Sequence, residues 1–252
     1  MCGLAGVIFG RKRRRAEERE HLAWLFTRLL VMSEGRGPHA TGVAWLNRDG
    51  EHRLFKRPVS AGQFVIDKTF HEVLAGIDNR TTLLLGHTRW RTRGDERINR
   101  NNHPIRAGDV IGTHNGTIYN ADRLFRRLRL RRFAEVDSEL LFRLADRAFR
   151  DETPDLERFK RDLALCRGQI TAVLADARVA PARASRPKLV FRHEYLCEFS
   201  RESFTFISQG RRLPVRVRHA DRGKGAMTES RMNRRESPMN PNDPRRRTRP
   251  GS

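Results

Sequence analysis

The sequence predicts an α+β domain with layered sheets, and two observations indicate this class. Short apolar runs typical of buried strands occur along most of the chain, and a few longer stretches between them have helical periodicity. The length of 252 residues allows one large domain with an appendage. Apolar residues make up 37% of the chain and charged residues 33%, which permits a core of modest size.

The first half of the chain predicts a strand, a long helix and a hairpin. Cys2–Phe9 is an apolar run of small and β-branched residues, as in a buried strand. Arg15–Met32 is predicted to be helical, because leucines recur on one face and glutamates in the first turns suit the helix dipole. Gly42–Leu46 and Arg53–Lys56 form a predicted hairpin, and Thr81–Gly86 is a further strand.

The second half of the chain adds helices and strands that would complete the sheets. Helices are predicted at Ala121–Leu130, Ser138–Phe149 and Leu156–Leu165. Strands are predicted at Asp109–Thr113, Gln169–Ala175, Lys188–Arg192 and Ser203–Ser208. These elements predict one domain over residues 2–220.

The composition changes from about residue 221 onward. Apolar residues nearly vanish while Arg, Pro, Gly, Asn and Ser dominate, so the segment cannot bury enough surface to offset its ordering entropy. We therefore predict a basic, disordered tail over residues 221–252. The tail either solubilises the chain or contacts nucleic acid or a protein partner non-specifically.

Charge is the largest compositional anomaly, with a formal net charge of +22 and an isoelectric point near 11.5. A nucleic-acid partner is one interpretation. However, the chain has 46 arginines and six lysines, and arginine occurs in almost every segment. This distribution favours a coding preference for arginine and a solvated basic surface over a dedicated binding face.

Cysteine usage and apolar runs indicate the compartment. The cysteines Cys2, Cys166 and Cys197 are too few and too scattered for a disulfide framework or a zinc site, which predicts a reducing cytoplasm. We expect no membrane span, since no apolar run approaches about 20 residues. We expect no secretory signal either, because the apolar start precedes the basic cluster Arg11–Arg15, the reverse of the usual order.

Cys2 follows the initiator methionine, whose removal is expected before so small a residue. One residue would then carry both a thiol and a free α-amine. The amine has a reference pKa of about 7.7–8.0, so it is partly neutral near pH 7 and can accept the thiol proton. A cysteine at this position is by itself most often a chance occurrence, and its weight depends on the motifs that follow.

Further motifs follow Cys2 in a fixed order. They are Arg36-Gly37 before Gly42-Val43-Ala44, the stretch Gly86–Gly94, Asn102-His103-Pro104, His114-Asn115-Gly116 and Val136–Glu139. With Cys2, this series resembles the class II glutamine amidotransferase domain of the N-terminal-nucleophile hydrolases. The pattern is nearest to the glutaminase domain of glucosamine-6-phosphate synthases and extends over roughly residues 2–210.

The resemblance implies a fold and a reaction. The fold would be a four-layer αββα sandwich, and the reaction would hydrolyse the glutamine side-chain amide without a metal or organic cofactor. Cys2 would attack the amide carbon to form a γ-glutamyl thioester and release ammonia. The Asn115 side chain and the Gly116 backbone N–H would stabilise the oxyanion.

The resemblance also implies how free glutamine is recognised. Arg89 would hold the α-carboxylate through its planar guanidinium, and Asp137 would hold the α-ammonium. Trp90 and Thr92 would line the same pocket, with His103 nearby. The ammonia would be released or passed to a separate synthase subunit, because we expect no isomerase module after this domain.

Each of these residues has a structural interpretation when it is considered alone. Arg89 is one of 46 arginines and would then be a surface residue. Asp137 would cap the next helix, and Asn115-Gly116 would form a tight turn between strands. Only their joint occurrence in this order favours the functional interpretation.

The chain departs from the family pattern at two places beside the predicted pocket. Arg91 and Arg93 stand where the family has alanine and histidine, and they would either alter the entrance or bind an anionic acceptor. Pro38 and His39 replace a tyrosine and an aspartate in the early loop.

Two alternative functions use the same fold. The first is an N-terminal-cysteine hydrolase of another linear amide, and the second is a non-catalytic, basic binding module.

Overall fold

The computed structural model describes side chains and backbone for most of the chain up to residue 178. The described residues are 2–10, 12–151, 154–178, 188–199 and 203–219, the last two ranges through their backbone alone. The predicted tail, 221–252, lies outside the described residues.

The described residues form nine strands and six α-helices. The strands are β1 (Gly3–Phe9), β2 (Ala40–Asn47), β3 (His52–Arg57), β4 (Thr81–Arg89), β5 (Ile105–Ala107), β6 (Val110–Ile118), β7 (Gly168–Asp176), β8 (Lys188–Phe199) and β9 (Ser203–His219). The helices are α1 (Ala16–Met32), α2 (Ala61–Phe64), α3 (Lys68–Ala75), α4 (Ala121–Arg127), α5 (Ser138–Ala148) and α6 (Leu156–Ala164). None of these described helices is long and apolar enough to cross a membrane.

The strands form one continuous antiparallel ladder that folds back on itself. The strand order is β3-β2-β4-β1-β9-β8-β7-β6-β5, so β4 and β6 lie five positions apart. In a flat sheet that separation would be about 24 Å, since neighbouring strands are about 4.8 Å apart. Yet His87 Nε2 on β4 lies 3.1 Å from the carbonyl oxygen of His114 on β6. The ladder therefore forms two stacked layers, connected through β8 and β9.

Three apolar clusters hold helices and sheet layers together. One packs α1–α3 against the β1, β2 and β4 layer and includes Phe70. A second packs α4–α6 against the β5–β7 layer and includes Phe142. The third lies between the two sheet layers and joins Leu4 and Leu85 to Val173. This order of helix, sheet, sheet and helix confirms the predicted four-layer fold class.

The central strand β1 explains why its sequence is apolar throughout. Leu4 and Ile8 belong to the cluster between the sheets, whereas Ala5, Val7 and Phe9 belong to the cluster beneath α1. Side chains alternate between the two faces of a strand, so both faces of β1 are buried. The predicted strand is confirmed, and it places Cys2 at the end of a rigid element.

The structure differs from the sequence-based predictions in several elements. β4 continues to Arg89 and β6 to Ile118, beyond the ends that apolar periodicity gave. The polar end of β6 is held by continuous pairing with β7, a tertiary effect that periodicity does not detect. The short helices α2 and α3 were not predicted; their caps are Ser60 Oγ, which accepts from Gln63 N, and the Asp67 carboxylate. The three-residue strand β5 was also missed.

Candidate active site

Cys2 lies immediately before β1, against the end of β4. Its Sγ accepts a hydrogen bond from Trp90 N at 3.3 Å and lies 3.6 Å from Trp90 O. Arg36 Nε donates to Cys2 O at 3.1 Å, which fixes the other side of the residue. A Cβ on Gly3 would lie 2.5 Å from Thr88 Oγ1, so only glycine fits next to Cys2. These contacts fix the position of the thiol.

Charges around Cys2 act on its thiol in opposite directions. Burial raises the pKa of the Cys2 thiol above its ordinary value, which favours the protonated form. The hydrogen bond from Trp90 and the positive charge of Arg89 oppose that shift, while the negative charge of Asp137 adds to it. The thiol therefore lies within electrostatic range of both predicted charge-reading residues, and it needs a base to become a nucleophile.

Asn115 and Gly116 bring β6 to the thiol from the facing sheet layer. Asn115 Oδ1 accepts a hydrogen bond from Cys2 N at 3.1 Å, and its Nδ2 group forms no hydrogen bond with a described residue. Gly116 has a φ of +142°, and a Cβ there would lie 2.0 Å from Gln169 O. Both residues lie inside β6, so the tight-turn interpretation is wrong.

Arg89 is the last residue of β4, and its buried guanidinium has neutral hydrogen-bond partners. It is 3% exposed, and it donates to Asn102 Oδ1 at 2.6 Å, to Gly94 O at 2.8 Å and to Arg93 O. Burial lowers its pKa. No carboxylate of a described residue lies within ion-pair distance of it, although the charges of Glu96 and Asp95 act on it from farther away. The surface-residue interpretation is wrong.

Asp137 precedes α5 and is also buried, with 7% exposure. Its Oδ2 accepts a hydrogen bond from Ile118 N at 2.6 Å, which ties it to the end of β6. Asp137 holds the N-cap position of α5, but its side chain makes no cap hydrogen bond to that helix, so the cap interpretation explains its position and not its buried carboxylate. Among the described residues, no basic side chain forms an ion pair with it.

The structure places the other predicted site residues less directly. Trp90 contributes its backbone to the thiol contacts, and its half-exposed ring packs against His39 with centroids 5.1 Å apart. Thr92 is exposed, and its side chain has no hydrogen bond to a described residue. No described hydrogen bond joins Thr92 to Cys2, and its place in the pocket stays a prediction.

His103 lies in the interior among buried histidines. Its ring stacks on His87 with centroids 4.2 Å apart and meets Phe142 edge-on. Burial lowers the pKa of His87 to about 3 and also lowers the pKa values of His103 and His114, so all three rings are neutral at pH 7. No described hydrogen bond joins His103 to Cys2 or Arg89.

The two departures from the family pattern are accommodated locally. His39 Nδ1 accepts a hydrogen bond from Arg91 N at 2.9 Å, which anchors the stretch after Trp90. Arg91 forms an ion pair with Glu96 at 3.0 Å. Arg93 forms one with Asp122, also at 3.0 Å. Because both added cations face carboxylates, the structure favours an altered pocket rim over a site for an anionic acceptor.

Sequence reasoning missed residues that support the site. The motif Asn102-His103-Pro104 predicts no role for Asn102, and the motifs do not include Asn101 or Lys56. The lysine Nζ donates to Asn102 O at 2.6 Å and to Pro104 O at 3.0 Å. Lys56 lies in a half-exposed hairpin, and its sequence context does not indicate this role because its hydrogen-bond partners follow 46 and 48 residues later. Among the described residues, no cluster of His, Cys, Asp and Glu could hold a metal ion.

The chain is similar in sequence to known proteins. No family model matches the chain. The glutamine–fructose-6-phosphate aminotransferase of Geobacillus kaustophilus is 28% identical over 75% of the chain and 30% of its own length. That of Chlorobaculum tepidum is 30% identical over 61% of the chain and 23% of its own length. The chain thus spans less than a third of these curated relatives.

Solved structures share the fold at lower sequence identity. The glutamine phosphoribosylpyrophosphate amidotransferase from B. subtilis superposes with a TM-score of 0.55 at 16% identity, over 82% of the chain and 41% of that chain. A structure described as the allosteric regulatory enzyme of purine biosynthesis superposes with a TM-score of 0.56 at 16% identity, over 82% of the chain and 42% of that chain. These similarities confirm the α+β fold.

Proposed function

The chain belongs to the class II glutamine amidotransferases, and we propose that it hydrolyses the side-chain amide of free glutamine through a thioester on Cys2. One observation carries the proposal. Arg89 and Asp137 are buried with opposite charges, lack ion-pair partners among the described residues, and both act on the Cys2 thiol. A free amino acid supplies the missing carboxylate and ammonium together.

The two buried charges of Arg89 and Asp137 indicate the class of substrate. A buried charge without a partner destabilises a protein by several kcal/mol, so it is retained where a ligand provides the partner. The α-carboxylate of glutamine would contact Arg89, and its α-ammonium would contact Asp137. An amide substrate whose α-amine or α-carboxylate is blocked would leave the charge of Asp137 or of Arg89 unpaired. This difference favours free glutamine over other linear amides.

The reaction begins with proton transfer inside one residue. After removal of Met1, the main-chain nitrogen of Cys2 becomes an α-amine, and it accepts the Sγ proton as the sulfur attacks the amide carbon. The carbon–nitrogen bond then breaks, and the nitrogen leaves as ammonia with that proton. Water attacks the thioester, the same amine accepts its proton, and the sulfur leaves as a thiol with glutamate as product.

The oxyanion would be held by two donors on β6. Asn115 already turns its Oδ1 toward Cys2 N, at 3.1 Å. The Nδ2 hydrogens then remain available to the tetrahedral oxygen beside Gly116 N–H. Donors of this kind contribute about 2.7–4 kcal/mol each to transition-state stabilisation.

The destination of the ammonia is a separate part of the proposal. The relatives use glutamine for amino transfer to fructose 6-phosphate, and the chain covers 30% of the length of one of them. We propose that the domain releases its ammonia or passes it to a separate synthase subunit. A reducing cytoplasm suits this activity, because the nucleophile is a free thiol.

Ammonia release from glutamine tests the proposal directly. The protein is expected to release one ammonia per glutamate from free glutamine, and Cys2→Ala is expected to abolish the reaction. Cys166→Ala is the matched control, since Cys166 is buried in the apolar cluster between α4–α6 and the β5–β7 layer. Release only from acylated amides would refute the substrate. Salt-sensitive nucleic-acid binding that survives Cys2→Ala, with no amide hydrolysis, would instead support a binding module.

A further inference from the structure

We propose that Asn101 and Asn102 are positioning residues that hold the two charge-reading side chains, Arg89 and Asp137, at a fixed separation. The inference rests on the proposed function and assigns residues that set its specificity for a zwitterion. The two asparagines are consecutive, and both are 0% exposed. The Asn102 side chain bonds to Arg89, which we call the carboxylate arm, and the Asn101 side chain bonds to Glu135 in the segment before Asp137, which we call the ammonium arm.

Asn102 acts on the carboxylate arm. Its Oδ1 accepts from Arg89 Nη1 at 2.6 Å, while its Nδ2 donates to Glu96 O at 2.6 Å. The oxygen is neutral, so it orients the guanidinium without neutralising it. The positive charge is therefore preserved for a substrate carboxylate.

Asn101 acts on the ammonium arm. Its Oδ1 accepts from Glu135 N at 2.9 Å, and its Nδ2 donates to Glu135 Oε2 at 3.1 Å and to Asp95 O at 3.1 Å. Glu135 lies two residues before Asp137, and no helix separates them. The paired contact thereby fixes the backbone that carries the carboxylate to β6.

The backbone between the asparagines and β5 is anchored independently of their side chains. Lys56 donates from its Nζ to the carbonyl oxygens of Asn102 and Pro104. Gly42 is packed so closely that a Cβ would lie 2.1 Å from His103 O. The β2–β3 hairpin thus holds this segment in place, so truncation of either asparagine side chain is expected to disturb an arm of the site before it disturbs the fold.

Two truncated substrates separate the arms. Glutaramate keeps the carboxylate of glutamine but lacks the α-amine, whereas 4-aminobutanamide keeps the amine but lacks the carboxylate. Dissociation constants for both, and for glutamine, would be measured by calorimetry in a Cys2→Ala background, where no turnover interferes. Asn102→Ala and Asn101→Ala are the test variants, with Arg100→Ala, at an exposed position in the same turn, as the control.

The proposal predicts a crossed pattern. Asn102→Ala weakens glutamine and glutaramate by about 10- to 100-fold and leaves 4-aminobutanamide within about 2-fold, because one hydrogen bond to a charged group is lost. Asn101→Ala weakens glutamine and 4-aminobutanamide and leaves glutaramate unchanged. Asn102→Asp keeps an acceptor at Arg89 but neutralises it, so it also weakens glutaramate. In the Cys2 protein, the variants raise KM for glutamine while kcat stays within about 2-fold.

Other outcomes overturn the inference. Equal losses on all three amides, or unchanged affinities, would show that the asparagines do not act on separate arms, and the proposed function would survive. Binding of glutamine without any hydrolysis by the Cys2 protein would refute the reaction alone, and the crossed pattern of affinities would still support the positioning role. If the Cys2→Ala protein with both asparagines intact does not bind glutamine, both the positioning role and the proposed function are refuted.

Discussion

Cys2 and Asn115 are joined across the two sheet layers by a hydrogen bond from Cys2 N to Asn115 Oδ1 at 3.1 Å. The same bond places the nitrogen that we propose as the base next to the side chain that we propose as an oxyanion donor. Cys2 immediately precedes β1 and Asn115 lies on β6, so the site exists only when both layers are stacked.

Asn115→Ala is therefore expected to lower kcat for glutamine by about 100- to 1,000-fold, the usual effect of removing one oxyanion donor. KM should change little, because the donor acts mainly on the transition state. Steady-state ammonia release measures both parameters. Arg100→Ala is a control that truncates an exposed side chain in a surface turn. A rise in KM with unchanged kcat would assign Asn115 to substrate binding.

Ligand-induced stabilisation tests the unpaired charge of Arg89. Glutamine at about 100 times its Kd is expected to stabilise the Cys2→Ala protein by about 2.7 kcal/mol. Arg89→Met should abolish most of this gain while keeping much of the side-chain volume. Thermal unfolding with and without glutamine provides the measurement, and Arg97→Met on the exposed surface is the control. An undiminished gain in the Arg89 variant would show that the carboxylate binds elsewhere.

Gly116→Ala is expected to destabilise the protein. The φ of +142° alone costs about 1–3 kcal/mol for a residue with a Cβ, and the added Cβ would also lie 2.0 Å from Gln169 O. Denaturant unfolding measures the loss. Gly35→Ala is the matched control, since no atom lies within 4 Å of the Cβ position there. Equal stability of the two variants would contradict the assigned backbone conformation of β6.

The buried histidines predict a pH dependence of stability. His87 has a folded pKa of about 3, below its unfolded value of about 6.5, and the pKa values of His103 and His114 are lowered as well. Between pH 6.5 and pH 3 the unfolded chain binds more protons, so the free energy of unfolding decreases as pH falls. Each proton contributes up to about 1.4 kcal/mol per pH unit.

Urea unfolding between pH 5 and pH 7 checks this slope, above the range in which ordinary carboxylates titrate. His103→Phe should reduce it, because it removes one of the three titrating rings from the interior. A slope that is unaffected by His103→Phe would show that His103 does not resist protonation in the folded chain.

The sequence predicted the four-layer fold and the clustering of Cys2, Asn115 and Arg89, because ordered motifs carried long-range information. It could not predict the polar end of β6, whose pairing with β7 overrides the absence of apolar periodicity. It also gave no role to Asn102, since a hydrogen bond to Arg89 depends on how the intervening residues turn. Thr92 is exposed and makes no described hydrogen bond, so its predicted place in the pocket stays a prediction.

The most direct test of the central claim is the intact mass of the purified protein before and after reaction with a diazoketone analogue of glutamine. The account predicts a chain without Met1 that gains one label, mapped to Cys2 and blocked by excess glutamine. A retained Met1, or a label on Cys166 or Cys197 instead of Cys2, would contradict it.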